Sequence, residues 1–274
     1  MLGKRFKFEM KSRINYLIGV SVVVLIMSLI FSFVNNRVMS SENGELISGA
    51  IIAFSYMAVN GAVFFLLIQT VNRFNKTFLG NEGYLIHTLP VKGTTHIIAD
   101  FIADFIQVII AVALLVGFYF IDRMANADTR SEFRRNLDVS MKDFYHSGSN
   151  NVEIVMFAVI FFLTVIVVIL SVIWVMKLGI NFSKNLVSSN NRAVPIAIAA
   201  VFVIVGVSLT MEVINFAQKS SINRLMERAA RINDASLTEI YTSSLSTVLL
   251  IHIAVIAVVV FANIFIINKK LNLQ

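Results

Sequence analysis

Six apolar runs, each long enough to cross a lipid bilayer as a helix, constrain the fold more than any other feature of the chain. About 20 helical residues cross the roughly 30 Å of hydrocarbon, and only helices satisfy their own backbone groups there. No ten-residue alternation typical of a transmembrane barrel is present. The chain is therefore predicted to be all-α and polytopic, with six transmembrane helices. The runs lie at about 14–34, 46–71, 95–121, 152–176, 193–214 and 245–267.

The composition favours one membrane domain over residues 1–274. Of these residues 57% are hydrophobic and 14% are charged, and the mean hydropathy is +0.81. The net charge of +7 is better explained by membrane ends and anionic lipid headgroups than by nucleic acid, because the chain is so apolar. The absence of cysteine excludes disulfides, thiol catalysis and cysteine-based metal sites.

The distribution of Lys and Arg predicts which side of the membrane each loop faces. Residues 1–13 are strongly basic, and an apolar residue recurs every fourth position on one helical face, at Leu2, Phe6 and Met10. This pattern predicts a basic amphipathic helix on the inner leaflet, with a frayed charged tail as the alternative. The short loops after the second and fourth spans are also basic. Both termini are therefore predicted to be cytoplasmic, in a multi-pass protein of the cell membrane.

Two predicted outer loops are longer than turns. The loop at 122–151 balances both signs of charge, and Thr129 and Glu132 have capping-box spacing. We predict a surface helix there through about Met141. The loop at 215–244 carries apolar and charged residues on separate helical faces, which predicts a second short extracellular helix.

The loop at 72–94 is too polar for lipid and too patterned for a simple linker. Asn81 is a suitable helix cap, and Glu82 in the first turn favours the positive end of the helix dipole. Pro90 cannot continue the helix. The apolar edge of this short helix is formed by Tyr84, Leu85 and Leu89. We predict a cytoplasmic helix available to another protein, with an ordinary hairpin loop as the alternative.

The same loop resembles the first cytoplasmic loop of ABC-2-type transporter permeases from Gram-positive bacteria. The similar segments are FNK at 74–76, GNEGYL at 80–85 and TLPV at 88–91. The basic start RFKFEMK at 5–11 and the tail NKKLNL at 268–273 also resemble the ends of those permeases.

The resemblance implies an ABC-2 or type V exporter-like fold and a set of functional residues. In that family the first loop holds a coupling helix that docks on a separate ATPase subunit, which binds ATP and Mg. On this chain the coupling positions are Glu82, Gly83, Tyr84, Leu85, His87, Leu89 and Pro90. A second coupling loop is expected around Asn181, Lys184 and Asn185. The resemblance also implies a second permease copy or paralogue in the assembly.

Few residues of this chain can perform chemistry. No G-x-x-x-x-G-K-[ST] loop is present, so the usual phosphate cradle for ATP is absent from the sequence. Its four histidines are scattered and show no metal-ligand spacing. We therefore predict no catalytic residue, no metal site and no cofactor within the chain itself.

Asp100 and Asp104, early in the third span, are the strongest chemical signal. Their spacing places both carboxylates on one helical face, and a charge at the bilayer centre costs about 2.5–3.5 kcal/mol on insertion scales. Three interpretations remain open. The carboxylates lie near inner headgroups and loop cations such as Lys92, they line a translocation path, or they form a magnesium–diphosphate site. The third lacks a second Asp-rich motif.

The resemblance to ABC-2-type permeases thus implies the permease subunit of an ATP-driven exporter, and the missing nucleotide loop predicts that the chain is not an enzyme by itself. Its apolar spans and small outer loops suit an amphipathic or hydrophobic substrate, and we expect a peptide such as a bacteriocin or peptide toxin, or otherwise a lipid-like cargo. Two alternatives come from other classes. One is a non-transporting immunity or sensor module, and the other is an intramembrane enzyme that depends on the two aspartates.

Overall fold

The computed structural model consists of long α-helices. It describes residues 2–37, 45–79, 93–125, 127–146, 150–186, 201, 204–206, 208, 210–215, 219 and 237–271. Within these residues the principal helices are α1 (Leu2–Arg37), α2 (Glu45–Phe74), α3 (Gly93–Ala125), α4 (Ala127–His146), α5 (Asn151–Leu186) and α6 (Leu237–Leu271). A π-helical turn, Asn75–Leu79, continues α2.

Five of these helices, α1, α2, α3, α5 and α6, are long and apolar enough to cross a membrane. This confirms the prediction of a helical, membrane-embedded protein. The predicted fifth span at 193–214 lies largely outside the described residues. The described part contributes a shorter apolar helix, Ile204–Asn215.

The helix boundaries differ from the sequence prediction at several places. No break separates an N-terminal helix from the first span, because α1 is continuous from Leu2 to Arg37. Glu9 and Arg13 are buried on this helix, and Arg5 bonds Glu9 at 2.6 Å one turn away. The helix α4 extends beyond the predicted end at Met141 to His146, and α6 begins eight residues before 245.

Residues 3–70 and 102–140 form one compact unit, which we call the N-terminal unit. In this unit α1 and α3 run parallel, since Arg13 contacts Asp104 and Phe31 contacts Phe118. The helix α2 runs antiparallel to α3, as the bonds from Tyr56 to Asp122 and from Gln107 to Leu66 show.

An aromatic cluster packs the centre of the N-terminal unit. Phe31, Tyr56 and Phe118 meet edge to face, with ring centroids 5.3–5.9 Å apart. Such pairs add about 0.5–1.5 kcal/mol beyond the area they bury. Aliphatic side chains of α1, α2 and α3 continue this core along the helices, among them Leu17, Val24, Val59, Val63 and Leu66.

Residues 1–2, 71–101 and 141–274 form the second compact unit, the C-terminal unit. Here α5 and α6 run parallel, because residues later in α5 contact residues later in α6. Phe157 lies by Tyr241 with ring centroids 6.3 Å apart, Ser171 bonds His252 at 2.8 Å, and Asn181 bonds Asn263 at 3.1 Å.

The aromatic cluster generates a prediction about stability. Phe118 is 1% exposed, whereas Phe120, two residues along α3, is 56% exposed. Phe118→Ala should lower the free energy of unfolding by an amount approaching the roughly 3–5 kcal/mol seen for such changes in soluble cores, because it leaves a cavity. Phe120→Ala is the matched control and should change it little. Equal losses in detergent thermal-unfolding assays would contradict the packing described here.

Candidate functional site

Two buried ion pairs, one in each compact unit, hold the two carboxylates of α3. Asp100 and Asp104 lie one turn apart on α3 and are 1% and 0% exposed. The shared helical face predicted from their spacing is therefore present. Each carboxylate meets a cation of its own unit, Arg13 of α1 for Asp104 and Lys177 of α5 for Asp100.

In the N-terminal unit, Arg13 of α1 binds Asp104. The guanidinium Nη1 lies 2.7 Å from Asp104 Oδ1 and 2.9 Å from Gln107 Oε1. Both members of the ion pair are buried. Arg suits such a position because its planar group donates several hydrogen bonds at once and keeps its charge.

Gln107 extends this network from α3 to α2. Its amide nitrogen donates to the backbone oxygen of Leu66 at 2.8 Å and to the hydroxyl of Thr70 at 2.6 Å. Thr70 in turn donates to the same Leu66 oxygen. The amide oxygen of Gln107 accepts from Arg13, so one side chain links polar groups of α1 and α2 and fixes the rotation of α3 between them.

In the C-terminal unit, Lys177 of α5 binds Asp100. The ammonium Nζ lies 2.5 Å from Asp100 Oδ2, and the side chain of Lys177 is fully buried. Two aromatic rings face the same ammonium, Phe74 at 5.1 Å and Trp174 at 4.8 Å from their centroids. Carboxylate and ring faces together replace the water that this charge loses, as burial of a charge requires.

Lys177 and its partners lie beside both ends of the predicted coupling loop, which are the end of α2 and the start of α3. Phe74 ends α2, and the π-helical turn that follows packs against α5 and stacks Phe78 on Phe74 at 4.8 Å. On the other side of the loop, Ile97 and Ala99 are fully buried near the start of α3. The predicted coupling residues themselves, from Glu82 to Pro90, lie outside the described residues.

The second predicted coupling loop has a different form from the one expected. The sequence placed Asn181, Lys184 and Asn185 in a loop at 177–192, but α5 stays helical through Leu186. Asn181 is fully buried and donates to Asn263 of α6. The apolar run ends at 176, which sets the predicted end of this helix. In the structure the helix continues, because polar side chains beyond 176 find partners on α6.

Sequence reasoning missed the residues that accompany the two aspartates. The predicted span boundaries place Lys177 in a loop, the basic N-terminal pattern places Arg13 on a surface helix, and no sequence pattern singles out Gln107. One signal was available: Lys177 follows Trp174 by three residues, which places both on one face of a helix. The identity of the partner carboxylate is a tertiary contact that no local spacing reveals.

An apolar cleft of about 710 Å³ lies in the C-terminal unit between α5, α6 and the described part of 201–215. Its walls are almost wholly aliphatic, with Val175, Val205, Val255 and Val258 among the lining residues. The hydroxyl of Thr210 is bonded to the backbone oxygen of Gly206. The described walls of the cleft therefore offer hydrocarbon contacts and few polar ones.

Comparison of the chain with protein-family models, with curated proteins and with solved structures gives no match. Among the described residues, no three His, Asp or Glu side chains lie close enough together to hold a metal ion.

The Arg13 network generates a prediction about stability. Arg13→Met removes the cation facing a buried carboxylate, which typically costs about 3–5 kcal/mol. Lys11→Met changes an exposed basic residue of the same helix and should have little effect. Thermal unfolding of the two purified variants in one detergent compares them. A fully stable Arg13→Met protein would contradict the structural role of this ion pair.

Proposed function

We propose that the protein is the permease subunit of an ATP-driven ABC exporter in a bacterial plasma membrane. The chain supplies the membrane path, and a separate ATPase subunit binds ATP and Mg and hydrolyses the nucleotide. A second copy of this chain or a paralogue completes the path. The chain is not an enzyme by itself under this proposal.

The observation that carries the proposal is the position of the motif-bearing segment. Residues 80–92, which resemble the coupling loop of ABC-2 permeases, join the π-helical turn after α2 to the start of α3. The residues on both flanks are buried, including Phe74, Phe78 and Ile97. A force applied to such a loop passes directly into two membrane helices, as coupling to an external ATPase requires.

The parallel packing of α5 and α6 supports the six-span topology of the proposal. Two parallel helices that both cross a membrane do so in the same direction. The chain between them, residues 187–236, must then cross the membrane an odd number of times. The apolar run at 193–214 is the segment of suitable length. With the N-terminus inside, this arrangement leaves the C-terminus inside as well.

The proposed mechanism is a two-state movement of rigid helices. ATP-driven closure of the ATPase subunits pushes the coupling helix around Glu82–Leu89. Tyr84, Leu85 and Leu89 form the apolar contact, and Glu82 pairs with a cation of the ATPase. The long helices carry the push to the outer side, where the path opens.

The aliphatic cleft supports a hydrophobic or amphipathic cargo. A peptide entering such a cleft must satisfy its own backbone hydrogen bonds, because the walls supply few partners, and a helical peptide does so. We therefore keep an amphipathic peptide as the proposed cargo. The magnesium–diphosphate alternative is less well supported, because both aspartates already bind cations of the chain.

The coupling surface generates the first functional prediction. Replacing Tyr84 and Leu85 together with Ala should release the ABC ATPase that co-purifies with the wild-type chain in mild detergent, because the apolar contact is lost. Leu137→Ala, on the exposed part of α4, should leave co-purification unchanged. Retention of the ATPase by the double variant would refute the assignment of this surface.

The topology generates a second prediction, which the cysteine-free chain makes simple to test. Single cysteines replacing Gly83 and Ser189 should be protected from an impermeant maleimide in intact cells. Cysteines replacing Leu137 and Ser220 should react. Labelling of the Gly83 position from outside would contradict the orientation, and equal labelling of the positions 189 and 220 would contradict a membrane span at 193–214.

A further inference from the structure

We propose that Lys177 is the positioning residue that joins the two ends of the coupling loop into one mechanical body. This inference rests on the proposed function and adds to it the route by which the push of the ATPase enters the membrane helices. The body consists of the end of α2 with its π-helical turn, the first two turns of α3, and the part of α5 around Lys177.

One ammonium group contacts the chain on each side of the loop. Before the loop, the ring of Phe74 lies 5.1 Å from Lys177 Nζ. After the loop, the carboxylate of Asp100 lies 2.5 Å from the same nitrogen. The segment 80–92 thus begins and ends on elements that share a single charged partner on α5.

Aromatic packing closes the cluster around this charge. Trp174, one turn before Lys177 on α5, lies 6.4 Å from Phe74 and 5.5 Å from Phe101 between ring centroids. The indole therefore also touches residues from both sides of the loop. Trp174 and Phe74 are fully buried, so water does not screen the charge that they enclose.

The pairing resists separation of the loop ends because both charges are buried. Pulling the carboxylate away from the ammonium would leave two desolvated charges, whose cost is several-fold larger than for an exposed pair. Lysine suits this position, since its compact ammonium can meet one carboxylate and two ring faces together. The loop ends consequently move with α5 and not independently of it.

A functional consequence follows for variants that lack the ammonium. Lys177→Met preserves the approximate length of the side chain and removes its charge. The docking residues on the loop are unchanged, so the ATPase still binds. The push of the ATPase then moves α2 and α3 relative to each other and is not passed on to α5. The variant therefore binds the ATPase without being coupled to it.

The first measurement uses the purified chain alone. Hydrogen exchange in Lys177→Met should rise about tenfold or more over residues 75–79 and 93–99, since the local opening energy falls when the buried pair is lost. Exchange in α4 should not change. Ser171→Ala is the matched control, because it removes a buried polar contact between α5 and α6 away from the loop. A uniform rise throughout the chain, or no rise, would overturn the proposal.

The second measurement uses the complex with the ABC ATPase that co-purifies with the wild-type chain, reconstituted in vesicles. Lys177→Met should retain the bound ATPase. The variant permease should no longer stimulate ATP hydrolysis by that ATPase. Lys177→Arg keeps the charge in a larger group and should restore part of this stimulation, and Ser171→Ala should keep it fully. Full stimulation in Lys177→Met would overturn the proposal, because a purely structural role predicts lower stability without uncoupling.

If Lys177→Met does not fold, the double variant Asp100→Asn with Lys177→Met removes both charges together, a change that buried ion pairs often tolerate. The double variant should fold and should also be uncoupled, and normal coupling in it would overturn the proposal. If no ATPase co-purifies with the wild-type chain, the proposed function fails, and the hydrogen-exchange result still decides whether Lys177 joins the loop ends.

Discussion

The pairing of two buried carboxylates on α3 with two buried cations is the interaction on which the rest of the structure depends. Hydrocarbon surroundings do not distinguish one apolar helix face from another, because lipid tails are as apolar as Leu or Val. A carboxylate in the same surroundings has to meet a cation or hydrogen-bond donor. Asp104 therefore fixes the rotation of α3 in the N-terminal unit through Arg13, and Asp100 fixes it in the C-terminal unit through Lys177.

The same rule explains the smaller polar contacts. Ser171 with His252, and Asn181 with Asn263, set the register of two otherwise apolar helices, α5 and α6. Contacts of this kind contribute only about 1 kcal/mol each in a membrane, but they exclude alternative registers in which a polar group would face lipid. Such helices would suit the mechanical role proposed above, since a flexible bundle would absorb a push applied at one end.

How much of the molecule could be predicted depends on whether the signal is local. Helix type and five membrane-length helices follow from apolar length. A surface helix at 122–151 was predicted and is present as α4, but it begins at Ala127, two residues before the predicted cap Thr129. The boundary expected at residue 13 was wrong, because Arg13 is buried against Asp104 and not solvated at a helix end. Lys177 was placed in a loop for a similar reason. A charge that is neutralised by a distant residue looks in the sequence like the end of a span, and the partner is decided only by tertiary packing. The coupling role of 80–92 stays a prediction.

We propose that this chain is a passive gate driven by a separate ATPase. The most direct measurement is purification of the tagged wild-type chain from its native membranes in mild detergent, with identification of bound proteins and assay of ATP hydrolysis. The account predicts a complex with a subunit that carries a nucleotide-binding motif, which hydrolyses ATP, and a chain that is inactive once stripped of that subunit. Isolation of a chain that moves cargo or performs chemistry with no ATPase present would contradict it.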